Sequence, residues 1–157
     1  MIRPYEPQDK LGIRDLIVPI QRGEFGLDIT YDDQPDLKDI PARYQVGHGE
    51  FWVAVEGDMV VGTIALEDIG ENILALRKVF VHADYRGSSG LAQRLLATAI
   101  DHARSKGIGW IYLGTTDRMQ RAHRFYERSG FEAVNKPDLP PNFTFPKVDS
   151  VFYRLAI

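Results

Sequence analysis

The chain has 157 residues, 44% of them apolar and 26% charged, with 19 Lys and Arg against 22 Asp and Glu for a net charge of −3. That length suits a single domain spanning residues 1–157, and the mild acidity argues against nucleic-acid binding, which relies on Lys and Arg replacing counterions on phosphates. The absence of cysteine excludes disulfides, thiolate metal sites and a Cys nucleophile; the start, Met1-Ile2-Arg3-Pro4-Tyr5-Glu6, lacks a signal-peptide core, and no apolar stretch approaches the roughly 20 residues of a membrane span, so a cytoplasmic protein without membrane association is expected.

Residues 8–21 carry Leu11, Leu16, Ile17 and Ile20 at roughly helical spacing, with Pro19 expected to kink or end the helix. Residues 23–49 are rich in Asp, Pro and Gly, which predicts irregular structure with a short helix around 37–44; a loop this long usually lines a functional cleft. Phe51-Trp52-Val53-Ala54-Val55 and Met59-Val60-Val61-Gly62-Thr63-Ile64-Ala65-Leu66 flank a Gly-containing turn and read as a hairpin. Residues 73–81 have the apolar density of a strand covered on both faces.

Residues 87–107 form the clearest helix, with Leu91, Ala92, Leu95, Leu96, Ala99, Ile100 and Ala103 in one apolar stripe and His102 on the solvated side. Trp110-Ile111-Tyr112-Leu113 follows as a strand, then a helix from about 117 to 129 that Gly130 ends, and a short strand at 131–134. Residues 135–149 hold four prolines and read as a loop before the closing strand at 151–155. The strand–helix–strand unit implies a parallel pair, and the whole reads as a mixed α/β fold of the α+β kind.

The chemistry concentrates in Val79-Phe80-Val81-His82-Ala83-Asp84-Tyr85-Arg86-Gly87-Ser88-Ser89-Gly90-Leu91-Ala92. A strand ends, glycines and serines turn the chain, and the strongest helix begins. The first amides of a helix lack intrahelical partners and carry the positive end of its dipole, so this turn suits a pyrophosphate, with Arg86 as an added charge. A serine N-cap after a tight turn accounts for the same residues without any ligand, and local sequence leaves both readings open. No Lys-Ser/Thr follows the glycines, which excludes a P-loop and leaves no phosphate-loop kinase reading. The four histidines show no metal spacing, and no metal is expected.

This stretch resembles the cofactor motif of the GNAT superfamily of acetyl-CoA-dependent N-acetyltransferases: Phe80-Val81 matches its strand, and Gly90-Leu91-Ala92 the end of its helix-opening turn. A second stretch, Ala122-His123-Arg124-Phe125-Tyr126-Glu127-Arg128-Ser129-Gly130-Phe131, is similar to the family's tyrosine helix, and the resemblance covers roughly residues 51–134. Asp149-Ser150-Val151-Phe152-Tyr153 also resembles family members.

The resemblance implies a mostly antiparallel central sheet flanked by helices, with the parallel strand pair at the cofactor cleft. It implies acetyl-CoA as co-substrate and direct attack of a primary amine, from a small molecule or a peptide, on the thioester. Cofactor contacts are then expected from Val79, Phe80, Val81, Arg86, Gly87, Ser88, Ser89, Gly90, Leu91, Ala92, Ala122 and Phe125, with the backbone of residues 79–81 polarising the carbonyl. Arg121, Arg124 and Arg128 are candidates for the ribose phosphate.

Tyr126 matches the family tyrosine whose hydroxyl lies near the CoA sulfur. Three departures stand out: Arg86 sits one place early in the motif, Met119 stands where many members carry Asn, and Leu74-Ala75-Leu76 offers no glutamate base. An amine with a pKa of about 10.4 costs about 4.6 kcal/mol to neutralise at pH 7, against about 2 kcal/mol for protonating a thiolate with a pKa near 8.5, so a base has more to do than an acid. Glu67, Asp68 and Glu71 are its candidates near the cleft, and none is singled out. A catalytically silent acyl-CoA-binding module of the same fold is the alternative reading, and a homodimer is left open.

Overall fold

The computed structural model describes residues 1–157. Its strands are β1 (Ile2–Pro4), β2 (Glu50–Glu56), β3 (Met59–Asp68), β4 (Ile73–Val81), β5 (Trp110–Thr115), β6 (Glu132–Val134) and β7 (Val151–Ala156). The helices are α1 (Lys10–Pro19), α2 (Pro35–Lys38), α3 (Ile40–Arg43), α4 (Leu91–Ser105) and α5 (Gln120–Arg128). All seven strands join one sheet in the order β1-β2-β3-β4-β5-β7-β6. Every pairing is antiparallel except β4 with β5, which α4 connects. The mixed, mostly antiparallel sheet expected from the sequence is therefore observed, and no helix is long and apolar enough to cross a membrane.

The unbroken apolar run of β2 has a packing cause. Side chains alternate across a strand, and here both faces are covered. Phe51 and Val53 meet Ile13, Leu16 and Ile17 of α1, Leu37 of α2 and Ile40 of α3. Trp52 and Ala54 meet the other layer, where Leu91, Leu95, Leu96, Ala99 and Ala103 of α4 press on Ile64, Leu66, Leu74 and Leu76. Burying each such aliphatic side chain stabilises the fold by roughly 1.5–3 kcal/mol. Close approach of α4 needs Gly62, because a Cβ there would stand 3.0 Å from Leu95 Cδ1.

A third cluster explains why the proline-rich loop is held in place. Phe143 is buried with Ala75, Tyr112 and Phe152, and the Phe145 ring lies 4.7 Å from that of Phe152. The loop is thereby pinned across β5 and β7, which fixes the residues just before β7.

Several elements depart from the sequence reading. β1 is too short for periodicity to reveal; Arg3 anchors it by a bidentate bond to Asp9 at 2.7 and 2.9 Å. Pro19 ends α1, but the chain continues as a π turn over Ile20–Glu24, closed by Phe25 N–H donating to Ile20 O at 3.0 Å. Two short helices replace the one expected at 37–44, with Asp39 capping α3 through the Ala42 amide.

The long helix starts at Leu91 instead of residue 87. Gly87 and Gly90 have φ of +77° and +68°, and this left-handed backbone breaks the first turn into a 3-10 segment. α5 likewise starts at Gln120. His102, expected in solvent, is half-buried: its ring meets the Trp52 edge at 5.1 Å and its Nε2 lies 2.9 Å from His48 O.

Candidate active site

The parallel ladder between β4 and β5 has only three rungs, Ile73↔Trp110, Leu74↔Ile111 and Ala75↔Tyr112. Beyond them β4 runs on to Val81 and β5 to Thr115, and the strands part. A cavity of about 1100 Å³ opens there, walled by β4, β5, the starts of α4 and α5, residues of the 23–49 segment and the end of the proline-rich loop.

One end is made by the two helix starts. Val79, Phe80, Val81, Arg86, Gly87, Leu91, Ala92, Ala122, Phe125 and Tyr126 all line the cavity, as do Arg121, Arg124, Arg128 and Met119. At the mouth of α4 the Leu91 amide donates to Ser89 Oγ at 3.3 Å, whereas the amides of Ala92 and Gln93 find no protein acceptor. Two free amides, a helix dipole and nearby arginines fit the diphosphate of a coenzyme. Ser88, Ser89 and Gly90 lie off the lining: Ser89 caps the turn by bonding to Tyr85 O, and Gly90 supplies only the left-handed entry. Arg86 lines the cavity, yet its guanidinium is engaged, donating to Val81 O at 2.9 Å and to Glu24 at 2.6 and 3.0 Å. That pairing holds the Glu24 carboxyl below its usual range. Thr115 Oγ1 donates to Met119 Sδ at 3.2 Å.

The other end is built around a bulge in β4. Thr63 pairs with Phe80 and Ala65 with Arg77, so Lys78 and Val79 together oppose Ile64. Lys78 adopts φ of +54°, a strained conformation for a side-chain-bearing residue, and Thr63 Oγ1 donates to its carbonyl at 2.7 Å. The bulge aims Lys78 Nζ at Gln34 Oε1 (2.7 Å) and Asp36 Oδ2 (3.4 Å). Burial pulls the Lys78 ammonium below its ordinary pKa, against the Asp36 carboxylate, which raises it. Tyr44 donates to the same Asp36 oxygen at 2.6 Å.

Tyr126 and Asp149 face the cavity with no hydrogen-bond partner. Tyr126 is packed among Phe125, Phe131 and Tyr153, and burial raises its hydroxyl well above the ordinary phenol value. The Asp149 carboxyl is pushed up to about 6 by burial, while the Arg77 charge pulls it down. Asp149 reaches this position because residue 114 is glycine; a Cβ there would stand 2.7 Å from Asp149 Oδ2.

The candidate bases read from the sequence do not reach the cavity. Glu67 pairs with Arg77 and Arg43, Asp68 accepts from the His48 and Gly70 amides at 2.9 Å each, and Glu71 sits in the β3–β4 turn at φ of +55°. All three lie at the closed end of the ladder, where Glu67 and Asp68 pair with Ala75 and Leu74. The sequence reading does not single out Asp149, which the structure places in the cavity lining. Its one signal was its place as the last acid of a loop ending at a strand beside β5.

A family model for the acetyltransferase (GNAT) family matches residues 14–131. A GNAT-family acetyltransferase from Staphylococcus aureus Mu50, solved by crystallography, is 36% identical with a TM-score of 0.94, over 99% of this chain and 98% of that one. The crystal structure of an acetyltransferase from Streptococcus agalactiae 2603 is 34% identical with a TM-score of 0.95, over 100% and 98% of the two chains. Among curated proteins, the probable N-acetyltransferase family 8 member 5 of Mus musculus is 35% identical over 108 residues, 66% of this chain and 47% of that protein. The chain thus spans about half the length of the curated relatives it matches. With both helix starts, the tyrosine helix and the parted parallel strands in one place, and a family model matching most of its length, the chain belongs to the GNAT family of acetyltransferases.

Proposed function

We propose that the chain transfers the acetyl group of acetyl-CoA to a primary amine by direct attack, with Asp149 as base and Tyr126 as donor to the departing sulfur. The observation that carries this reading is the cavity at the parted end of β4 and β5, lined by both helix starts and by two unpartnered titratable side chains. The amides of Ala92 and Gln93, with Arg121, Arg124 and Arg128, hold the coenzyme phosphates. The open main chain of residues 79–81 flanks its acyl arm and offers amide donors to the oxygen that becomes negative during attack.

Asp149 takes a proton from the incoming ammonium; the freed nitrogen bonds to the acyl carbon as the carbon–sulfur bond breaks. An acid with a pKa of about 6 is ionised at pH 7 yet basic enough to accept that proton. Tyr126 stays protonated because burial raises it, so it stabilises the leaving sulfur by hydrogen bonding, and the thiolate takes its proton through that hydroxyl, which water resupplies. The second ammonium proton leaves to solvent through Asp149.

Thiol release from acetyl-CoA in the presence of an amine panel tests the reading. Amine-dependent release is expected. Acetyl-CoA binding without release under any amine would instead favour the silent acyl-CoA module. The protein is also proposed to act as a single unit over residues 1–157 in the cytoplasm.

A further inference from the structure

We propose that the amine acceptor carries a carboxylate, gripped by the Arg43 and Arg77 guanidiniums while its ammonium group lies against Asp149. This rests on the acetyltransferase reading above and names the substrate class of the same site.

Three cations around the bulge stand against three acids, Asp36, Glu67 and Asp149, but only the first two acids pair with them directly. Arg43, Arg77 and Lys78 line the cavity. Lys78 is matched by Asp36 and Gln34, so that pair is closed. Arg43 and Arg77, by contrast, share the single carboxylate of Glu67, which lies behind them and off the cavity wall. Asp149 is the third acid of the group, and once an ammonium group lies against it the two guanidiniums keep only the Glu67 carboxylate between them, which leaves one positive charge for the bound molecule to meet.

The donors are unspent as well. Arg77 donates to Glu67 only through Nε, at 3.1 Å. Its Nη2 is buried without an acceptor at bonding geometry, although the same Glu67 oxygen lies 3.0 Å away, and its Nη1 has none either. Arg43 likewise uses only Nε. A charged donor left unmade in a half-closed pocket is costly, and the planar fork of a guanidinium is matched by a planar carboxylate.

The rest of the wall orients such a molecule. Arg77 is braced over the Phe143 ring at 5.2 Å, so its guanidinium plane is held in place. Asp149 lines the same cavity as Arg43 and Arg77 and lies near enough to feel the Arg77 charge. A small zwitterion then turns its ammonium to the base and its carboxylate to the arginines, which sets the nitrogen in one position for attack. An α-amino acid or a short amino acid of similar length meets these demands; a simple alkylamine meets one of them.

Thiol release is followed with matched acceptors: L-alanine against L-alaninamide and ethylamine, and L-phenylalanine against L-phenylalaninamide and phenethylamine. At least a tenfold higher kcat/KM for the free acid in one series is expected. Arg43→Met, at a partly exposed position, should raise KM for that acid about tenfold and erase its preference over the amide. Arg77→Met should do the same more strongly, and Arg43→Met keeps the test intact if the buried Arg77 variant fails to fold.

Calorimetric titration with acetyl-CoA alone separates two failures. A protein that binds acetyl-CoA and uses amides and simple amines as well as acids overturns the carboxylate and leaves the acetyltransferase reading standing. So does a preference for phosphoethanolamine. No binding of acetyl-CoA overturns both.

Discussion

The two ends of the cavity are built on different plans. The end proposed for the coenzyme comes from two short contiguous stretches, 79–92 and 121–128, each a strand end or turn running into a helix. The acceptor end is gathered from residues 34–44, 77–78 and 149, which only the sheet register brings together. The first presents main-chain amides and is indifferent to most side chains; the second works through a handful of charged side chains held by bulge, loop and glycine. Substitutions of the charged acceptor-end side chains and of the Tyr126 hydroxyl should therefore disturb chemistry, and those in the first turns of the two helices should disturb coenzyme affinity.

Asp149→Asn is the severest test of that division. It should lower kcat/KM by about 10² to 10³-fold, in the range for loss of a general base. The wild-type profile should also show an ascending limb near pH 6 that the variant lacks. A variant with an unchanged profile would move the base elsewhere. Tyr126→Phe should lower kcat by about 10 to 10²-fold with acetyl-CoA affinity preserved, because the lost hydroxyl bonds no protein group. Equal losses in kcat and in coenzyme binding would make Tyr126 a packing residue.

Gly114→Ala sharpens the comparison without touching a titratable group. The new methyl would displace the end of the Asp149 side chain and crowd the buried Phe152 ring at 3.1 and 3.2 Å, so turnover should fall about tenfold with a smaller loss of stability, activity and melting temperature being measured together. Ala92→Asp acts at the opposite end: a carboxylate in the first turn of α4 should weaken acetyl-CoA binding about fivefold, following helix-terminus energies of about 1 kcal/mol. The smallest effect is on stability. The folded Asp149 carboxyl titrates near 6, above its unfolded value of 3.8, so the native state binds more protons between those limits and stability falls as pH rises through them. Above pH 6 Asp149→Asn should therefore be the more stable protein, by about 1 kcal/mol once the openness of the cavity is allowed for. Urea unfolding at pH 5 and pH 8 reads this, and a variant less stable at pH 8 would contradict it.

Legibility in the sequence follows the same division. Strand and helix existence was readable because both faces of β2 and one face of α4 are continuous apolar surfaces, and the two coenzyme stretches are local patterns. The helix start at Leu91 was misplaced because Gly87 and Gly90 spell a helix entry without revealing which of them turns left-handed. Nothing periodic marks the Lys78 bulge, since an extra residue in a strand leaves composition unchanged. Glu67 looked available for chemistry from its place between two strands, and only the tertiary structure reveals that two arginines occupy it. Asp149 was indistinguishable from any acid in a proline-rich loop until Phe143 and Phe152 were seen to pin that loop beside Gly114.

The three-rung ladder between β4 and β5 leaves the sheet with a seam in its interior. Unsatisfied peptide groups at an outer margin invite a foreign chain to zip on and seed aggregates. Here the unpaired strand edges face a cavity walled by the starts of α4 and α5 instead of the outer margin of the sheet. A slender linear molecule bearing its own amides can lie along those edges and complete the weave, which turns a liability of β architecture into a binding slot.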